Sequence, residues 1–284
     1  MRAAPGARPM FSRYSTQAGR EGVSDRSEER RRVSLDLNNL LGDWPYEPGQ
    51  ITVRVIEGDD GEPKVQMRLD LGMIQMEVSG RPDGVRPEGH ESYLEYYEAM
   101  LEDYEPTDEE DQFVLSAEDC RLLREEAVQY YHRYVSLMIL GDYLGVFRDT
   151  TRNLRVLDLC RDYAEAEEDQ MVLEQFRSYL LMMQSRALAS QAIADNEPNG
   201  ALFALEHGLD AIHDTVLATG RSEEEYEGLT EVQVMRGMRN ELMKKLPASQ
   251  RTELAQRLED AIAAENYELA AILRDELKNL KDHA

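Results

Sequence analysis

Two periodicities divide the chain. Ile51, Val53 and Val55 alternate with Thr52 and Arg54, and this two-residue period predicts a half-buried strand. Glu57-Gly58-Asp59-Asp60-Gly61-Glu62-Pro63 follows as a turn cluster. Val65, Met67, Leu69 and Leu71 then alternate with Gln66, Arg68 and Asp70. After Gly72 the pattern resumes one position shifted, as Ile74, Met76 and Val78, so a bulge or a tight bend is expected there. Two or three antiparallel strands result, ending at Arg81-Pro82-Asp83-Gly84. So small a sheet must lean on another element. The irregular Trp44-Pro45-Tyr46 segment is expected to pack over its edge.

From Glu91 onward the period is that of a helix. Leu94, Tyr97, Met100 or Leu101, and Tyr104 line one face, with Glu91, Glu95, Glu98 and Glu102 on another. Ser116 with Asp119 reads as a capping box opening a long helix that stops at Gly141. A second helix runs from about Tyr143 to Tyr163, and another from about Asp169 to Ala194. Asn196 to Gly200 breaks the pattern, and the next helix begins at Ala201. Ser222 with Glu225 is a further capping box, and its helix is expected to run unbroken to about Leu246, before Pro247.

The predicted fold is therefore mainly α, with a helical-hairpin body, a small N-terminal antiparallel β element and a C-terminal helical hairpin. The expected divisions are a disordered basic tail over 1–34, the sheet over 35–87, the helical body over 88–246 and the hairpin over 248–284. Within the body, Ala187, Ala189 and Ala192 mark one helix, and Ala201, Ala204 and Gly208 the next, across a Pro-containing turn. That pair resembles one tetratricopeptide unit, without the full consensus of the 34-residue repeat. The resemblance implies a scaffold with a groove for a peptide or partner helix. An ordinary bundle with small residues at close crossings fits the same pattern.

In the C-terminal hairpin, Leu254, Leu258 and Ala261/Ile262 recur at helical spacing. Asn266 suits an N-cap, and Ala270, Leu273, Leu277 and Leu280 repeat on the helix after it. A narrow apolar seam follows, with Tyr267 expected to plug the turn end and Ala270-Ala271 to allow close backbone approach. Leu269 and Ile272 fall off the seam as a second apolar patch. Tyr267, Glu268, Ala270, Ala271, Arg274 and Asp275 fit an aromatic-Glu-x-Ala-Ala-x-x-Arg-Asp core. This core resembles the UVR motif shared by bacterial UvrB and UvrC, ClpC-type ATPases and McsA. The whole chain also looks like bacterial UVR-motif proteins of undefined role. The resemblance implies a non-catalytic contact element, often pairing with a second UVR hairpin. Its partner-binding residues would be Leu254, Leu258, Ile262, Tyr267, Glu268, Ala270, Ala271, Leu273, Arg274, Asp275 and Leu277. Arg274 and Asp275 would fix the pairing geometry.

Charge sharpens this picture. The 284 residues carry 57 acids against 32 Lys and Arg, a formal −25. Eight arginines and four acids give residues 1–33 a charge of +4, which leaves −29 on the remainder. The stretch 88–119 holds thirteen acids and no Lys or Arg, with Tyr93, Tyr96, Tyr97 and Tyr104 interleaved; it reads as a solubilising face, or as a dock for a basic partner. Such a balance argues against direct nucleic-acid binding, which needs clustered cations, and against anionic lipid. No apolar run approaches the roughly 20 residues of a bilayer span. The Arg-rich start imitates a transit peptide, but without an amphipathic helix it reads as a solvated tail. Cys120 and Cys160 are too few for a disulfide framework and read as reduced, partly buried thiols of a cytoplasmic protein.

Candidate chemistry is sparse. There is no GxxxxGK[ST] loop, no HExxH and no CxxC, which separates the chain from the ATPase and zinc-binding carriers of the motif. Glu206, Asp210 and His213 share a helix face, and a solvated polar face accounts for them better than half of a metal site does. No catalytic, cofactor-binding or metal-ligating residue is therefore assigned, and no cofactor is expected. The expected function is a non-catalytic cytoplasmic adaptor that binds a protein partner through the hairpin. Candidate partners are another UVR protein, UvrB or UvrC, a Clp-type ATPase, or a second copy of the chain. The alternatives are an accessory factor of nucleotide excision repair or a regulator of a Clp-type protease.

Overall fold

The computed structural model describes residues 36–108, 111–245, 248–263 and 266–282. The basic tail, with its arginine cluster, lies outside the described residues. A short helix α1 (Asn38–Leu41) leads to three strands, β1 (Val53–Glu57), β2 (Pro63–Arg68) and β3 (Met73–Glu77). They form one antiparallel sheet in the order β1-β2-β3, with Val55 opposite Val65 and Val65 opposite Met76. Gly72 takes the bend rather than the bulge: Leu69 and Gly72 exchange main-chain hydrogen bonds around a tight turn, leaving Leu71 in solvent. Trp44 packs on the sheet as expected. Its ring lies 4.0 Å beneath the Arg54 guanidinium, and its carbonyl accepts from Arg68 Nε.

The helices are α2 (Tyr93–Glu102), α3 (Ala117–Leu140), α4 (Tyr143–Tyr163), α5 (Glu167–Met171), α6 (Arg177–Ala194), α7 (Pro198–Ala218), α8 (Glu223–Glu227), α9 (Thr230–Lys245), α10 (Ala248–Ala263) and α11 (Tyr267–Asp282). Both capping boxes form: Ser116 with Asp119 opens α3, and Ser222 with Glu225 opens α8. Gly141 closes α3 at φ 77°, a conformation glycine reaches without penalty.

Two expected helices are broken. The segment from Asp169 to Ala194 is α5, a 3₁₀ turn at Glu174–Phe176 and then α6, because Leu173 turns into the core while Met171 and Phe176 stay outside. The segment after Ser222 stops at Gly228, which caps α8, and restarts as α9. One start also moves: α7 begins at Pro198, whose fixed φ suits the first turn, not at Ala201.

The long helices pack in chain order, α3 on α4, α4 on α6, α6 on α7 and α7 on α9. Small residues set the α6–α7 distance. A Cβ on Gly208 would lie 2.0 Å from Ser185 Oγ, and Ala187, Ala189 and Ala201 are fully buried. Val65, Met67 and Met76 of the sheet belong to the same core as these helices. Cys120 and Cys160 meet thiol to thiol between α3 and α4 and are fully rather than partly buried; that contact, with burial, pushes Cys160 up.

A buried charge network joins sheet to helices. Arg133 on α3 makes a two-pronged pair with Asp149 on α4, at 2.7 and 2.8 Å. Its third nitrogen donates to the carbonyls of Glu77 and Gly80, holding the end of β3. Glu126 on α3 is fully buried and bonded to Arg152, with Arg81 Nε 3.2 Å away. The same carboxylate accepts from the main-chain N–H of Tyr93 at 2.9 Å, at the positive end of α2. Burial pulls Arg152 down to about 9, which leaves it charged at neutral pH beside Glu126.

Candidate protein-interaction site

The C-terminal hairpin is built by α10 and α11 packed against each other. Asn266 caps the second helix: its Oδ1 accepts from Leu269 N–H at 3.2 Å and its carbonyl from Ala270 N–H at 3.0 Å. Across the seam, Ala261, Ala270 and Leu273 are buried, with Leu254 and Leu258 partly buried against them. This cluster is separate from the core of the body. Among the described residues five apolar side chains make up this core, which is small for a unit standing alone.

The structure divides the expected partner-binding residues in two. Leu254, Leu258, Ala270 and Leu273 hold the hairpin together, and Leu277 is half-buried. Ile262, Tyr267, Ala271, Arg274 and Asp275 face solvent, and the side chain of Glu268 lies outside the described residues. Tyr267 does not plug the turn. It is 70% exposed at the first position of α11 and is not part of the buried cluster of the seam. Ala271 likewise points away, so the close approach rests on Ala270 alone. Arg274 and Asp275 lie 3.7 Å apart, both about 70% exposed, a pairing of little energetic worth.

Off the seam, Leu269 and Ile272 share one flank of α11 by their three-residue spacing, while Tyr267, Ala271 and Arg274 share the other. Ile262 adds an exposed apolar group from α10. These apolar groups, unlike those of the seam, are exposed on the surface of the hairpin.

A family model described as UVR, the UvrB/uvrC motif, matches residues 249–282. The chain carries a UVR motif. It coincides with α10 and α11 and leaves the sheet and the helical body unmatched. Comparison with curated proteins and with solved structures finds no match. The UVR motif is a protein-interaction module, in keeping with the exposed apolar flanks of the hairpin.

Elsewhere the polar groups are largely engaged with one another. His213 meets Glu223 of α8, Nε2 to carboxylate, at 2.7 Å, and that carboxylate holds the imidazole above its ordinary pKa. The contact comes from α8, which the sequence did not pair with α7. Glu206 is raised by burial and by Glu276 of the UVR hairpin. Among the described residues no three His, Cys, Asp or Glu side chains gather into a metal-holding group, and no helix is long and apolar enough to cross a membrane. The acidic stretch is partly consumed internally: Glu98 pairs with Arg155, Asp111 accepts from Tyr104 and Thr107, and Asp119 accepts from Ser116 and Tyr97.

Proposed function

We propose that this protein is a non-catalytic adaptor whose UVR hairpin captures a protein partner while the helical body, tetratricopeptide-like in its small-residue crossing of α6 and α7, serves as scaffold. The observation that carries this is the hairpin's construction. It has its own small core and presents Ile262, Tyr267, Leu269 and Ile272 to solvent. Apolar groups left outside on a marginal two-helix unit are what a second hairpin would cover. The partner is accordingly another UVR hairpin, on UvrB or UvrC, on a Clp-type ATPase, or on a second copy of this chain. The cytoplasm, where such partners reside, is the proposed location.

The test is affinity capture from cell extract with the full chain and with residues 248–284 removed. The full chain should retain a partner that the truncated chain loses, with unchanged helical circular dichroism in the body. Recovery of the same proteins by both sinks the adaptor reading. Co-purification with UvrB or UvrC would assign the protein to excision repair, and with a Clp-type ATPase to proteolysis.

A further inference from the structure

Between α3, α4 and the start of α6 lies a cavity of about 430 Å³, within the size range of small-molecule sites. Leu157, Leu173 and Leu180 give it an aliphatic wall. Tyr131, Tyr134 and Tyr179 supply aromatic faces, with the Tyr131 and Tyr134 rings edge to face at 5.5 Å. Two of its six polar neighbours are already satisfied. Arg124 pairs with Asp169 at 2.5 Å, and the Asn153 side chain donates to the Ala127 carbonyl and accepts from Arg152.

Tyr134 is not satisfied in this way. The residue is 2% exposed overall, it lines the cavity, and no described residue bonds to its hydroxyl. The hydroxyl is not among the fully buried polar atoms left without a partner, so it opens onto the cavity and is free to bond to what enters it. The Tyr131 and Tyr179 hydroxyls and the His132 ring, also free of hydrogen bonds to described residues, line the same space. Burial lowers the His132 pKa and raises that of Tyr134, so each is neutral at pH 7. The wall therefore offers aromatic faces and neutral donors and acceptors, and its one full charge is already paired.

We propose that this cavity binds a neutral aromatic small molecule bearing a hydrogen-bonding oxygen, held by the Tyr134 hydroxyl and stacked among the tyrosines. An anion would have to compete with Asp169 for Arg124, and a cation would meet no free carboxylate on the wall. A peptide main chain would find one carboxamide on the wall, Asn153, and that group is 4% exposed and already bonded to the Ala127 carbonyl and to Arg152.

The experiment is a fluorescence titration of the full chain with 1-naphthol, with naphthalene-1-sulfonate and 1-naphthylmethylamine as charged controls. Naphthol should saturate one site per chain, and the charged compounds should not. Tyr134→Phe should weaken naphthol about 3- to 10-fold, the range of one hydrogen bond, without lowering the melting temperature of the free protein, since the hydroxyl has no protein partner to lose. Val128→Trp, at the half-exposed lip, should block the cavity without disturbing the core. No saturation up to about 1 mM overturns the proposal. So does wild-type affinity in both variants, equal binding of the sulfonate, or displacement of naphthol by the captured protein partner, which would make the cavity part of a protein interface.

Discussion

At the scale of single residues, the informative positions are charges that fall on an apolar stripe. Cys120, Leu123, Ala127, Tyr130, Tyr134 and Leu137 define the buried face of α3, and Glu126 and Arg133 lie on it, seven residues apart. Asp149 and Arg152 interrupt the stripe of Val146, Val156 and Cys160 on α4 in the same way. That misplacement is visible in sequence, but the pairing of the four is not, because it depends on which helices meet. The Arg133 and Arg152 guanidiniums both lie within 5 Å of the Tyr130 ring centroid. Arg133→Met alone should cost about 3–5 kcal/mol in chemical denaturation, because it strands the Asp149 carboxylate in the interior. Arg133→Met with Asp149→Leu should recover much of that loss. A double variant as unstable as the single would show instead that the hold on the Glu77 and Gly80 carbonyls dominates.

At the scale of elements, local chemistry was legible and tertiary turns were not. Both capping boxes, the Gly141 stop, the strand alternation and the Asn266 cap were read from a few neighbouring side chains, and all are present. The interruption before α6 carries no glycine or proline; it exists because Leu173 fits the core, and nothing local announces that. In the hairpin, the spacing identified the seam but not which of its neighbours remain outside, since exposure at a turn end depends on what stands opposite. The separate hairpin core gives a prediction of its own. Leu273→Asp places an unpaired charge in the seam, so amide protection should vanish across α10 and α11 while α3 to α9 keep theirs. Loss of protection in α7 as well would mean that hairpin and body fold as one unit.

At the scale of the whole molecule, the −25 is not a uniform repulsive shell, because many of its acids are tied to the protein's own arginines. Where body and UVR hairpin approach, the balance is less favourable. Glu206 of α7 is raised first by burial and then by Glu276 of α11, and Glu276 is raised by burial. Arg239 of α9 acts in the opposite sense on both. A carboxyl whose pKa is higher in the folded state takes up a proton on folding, so its contribution is complete below the ordinary carboxylate value and is lost as pH rises through the raised one. The hairpin should therefore sit more firmly on the body at mildly acidic pH than at neutral pH. Melting of the full chain between about pH 4.5 and 7 should carry a stability component that declines with pH, and Glu206→Gln should flatten it. In the chain lacking 248–284 the same substitution should flatten the profile less, because the Glu276 charge is gone. Identical flattening in both chains would place the effect wholly in the burial of Glu206 and remove the hairpin from it.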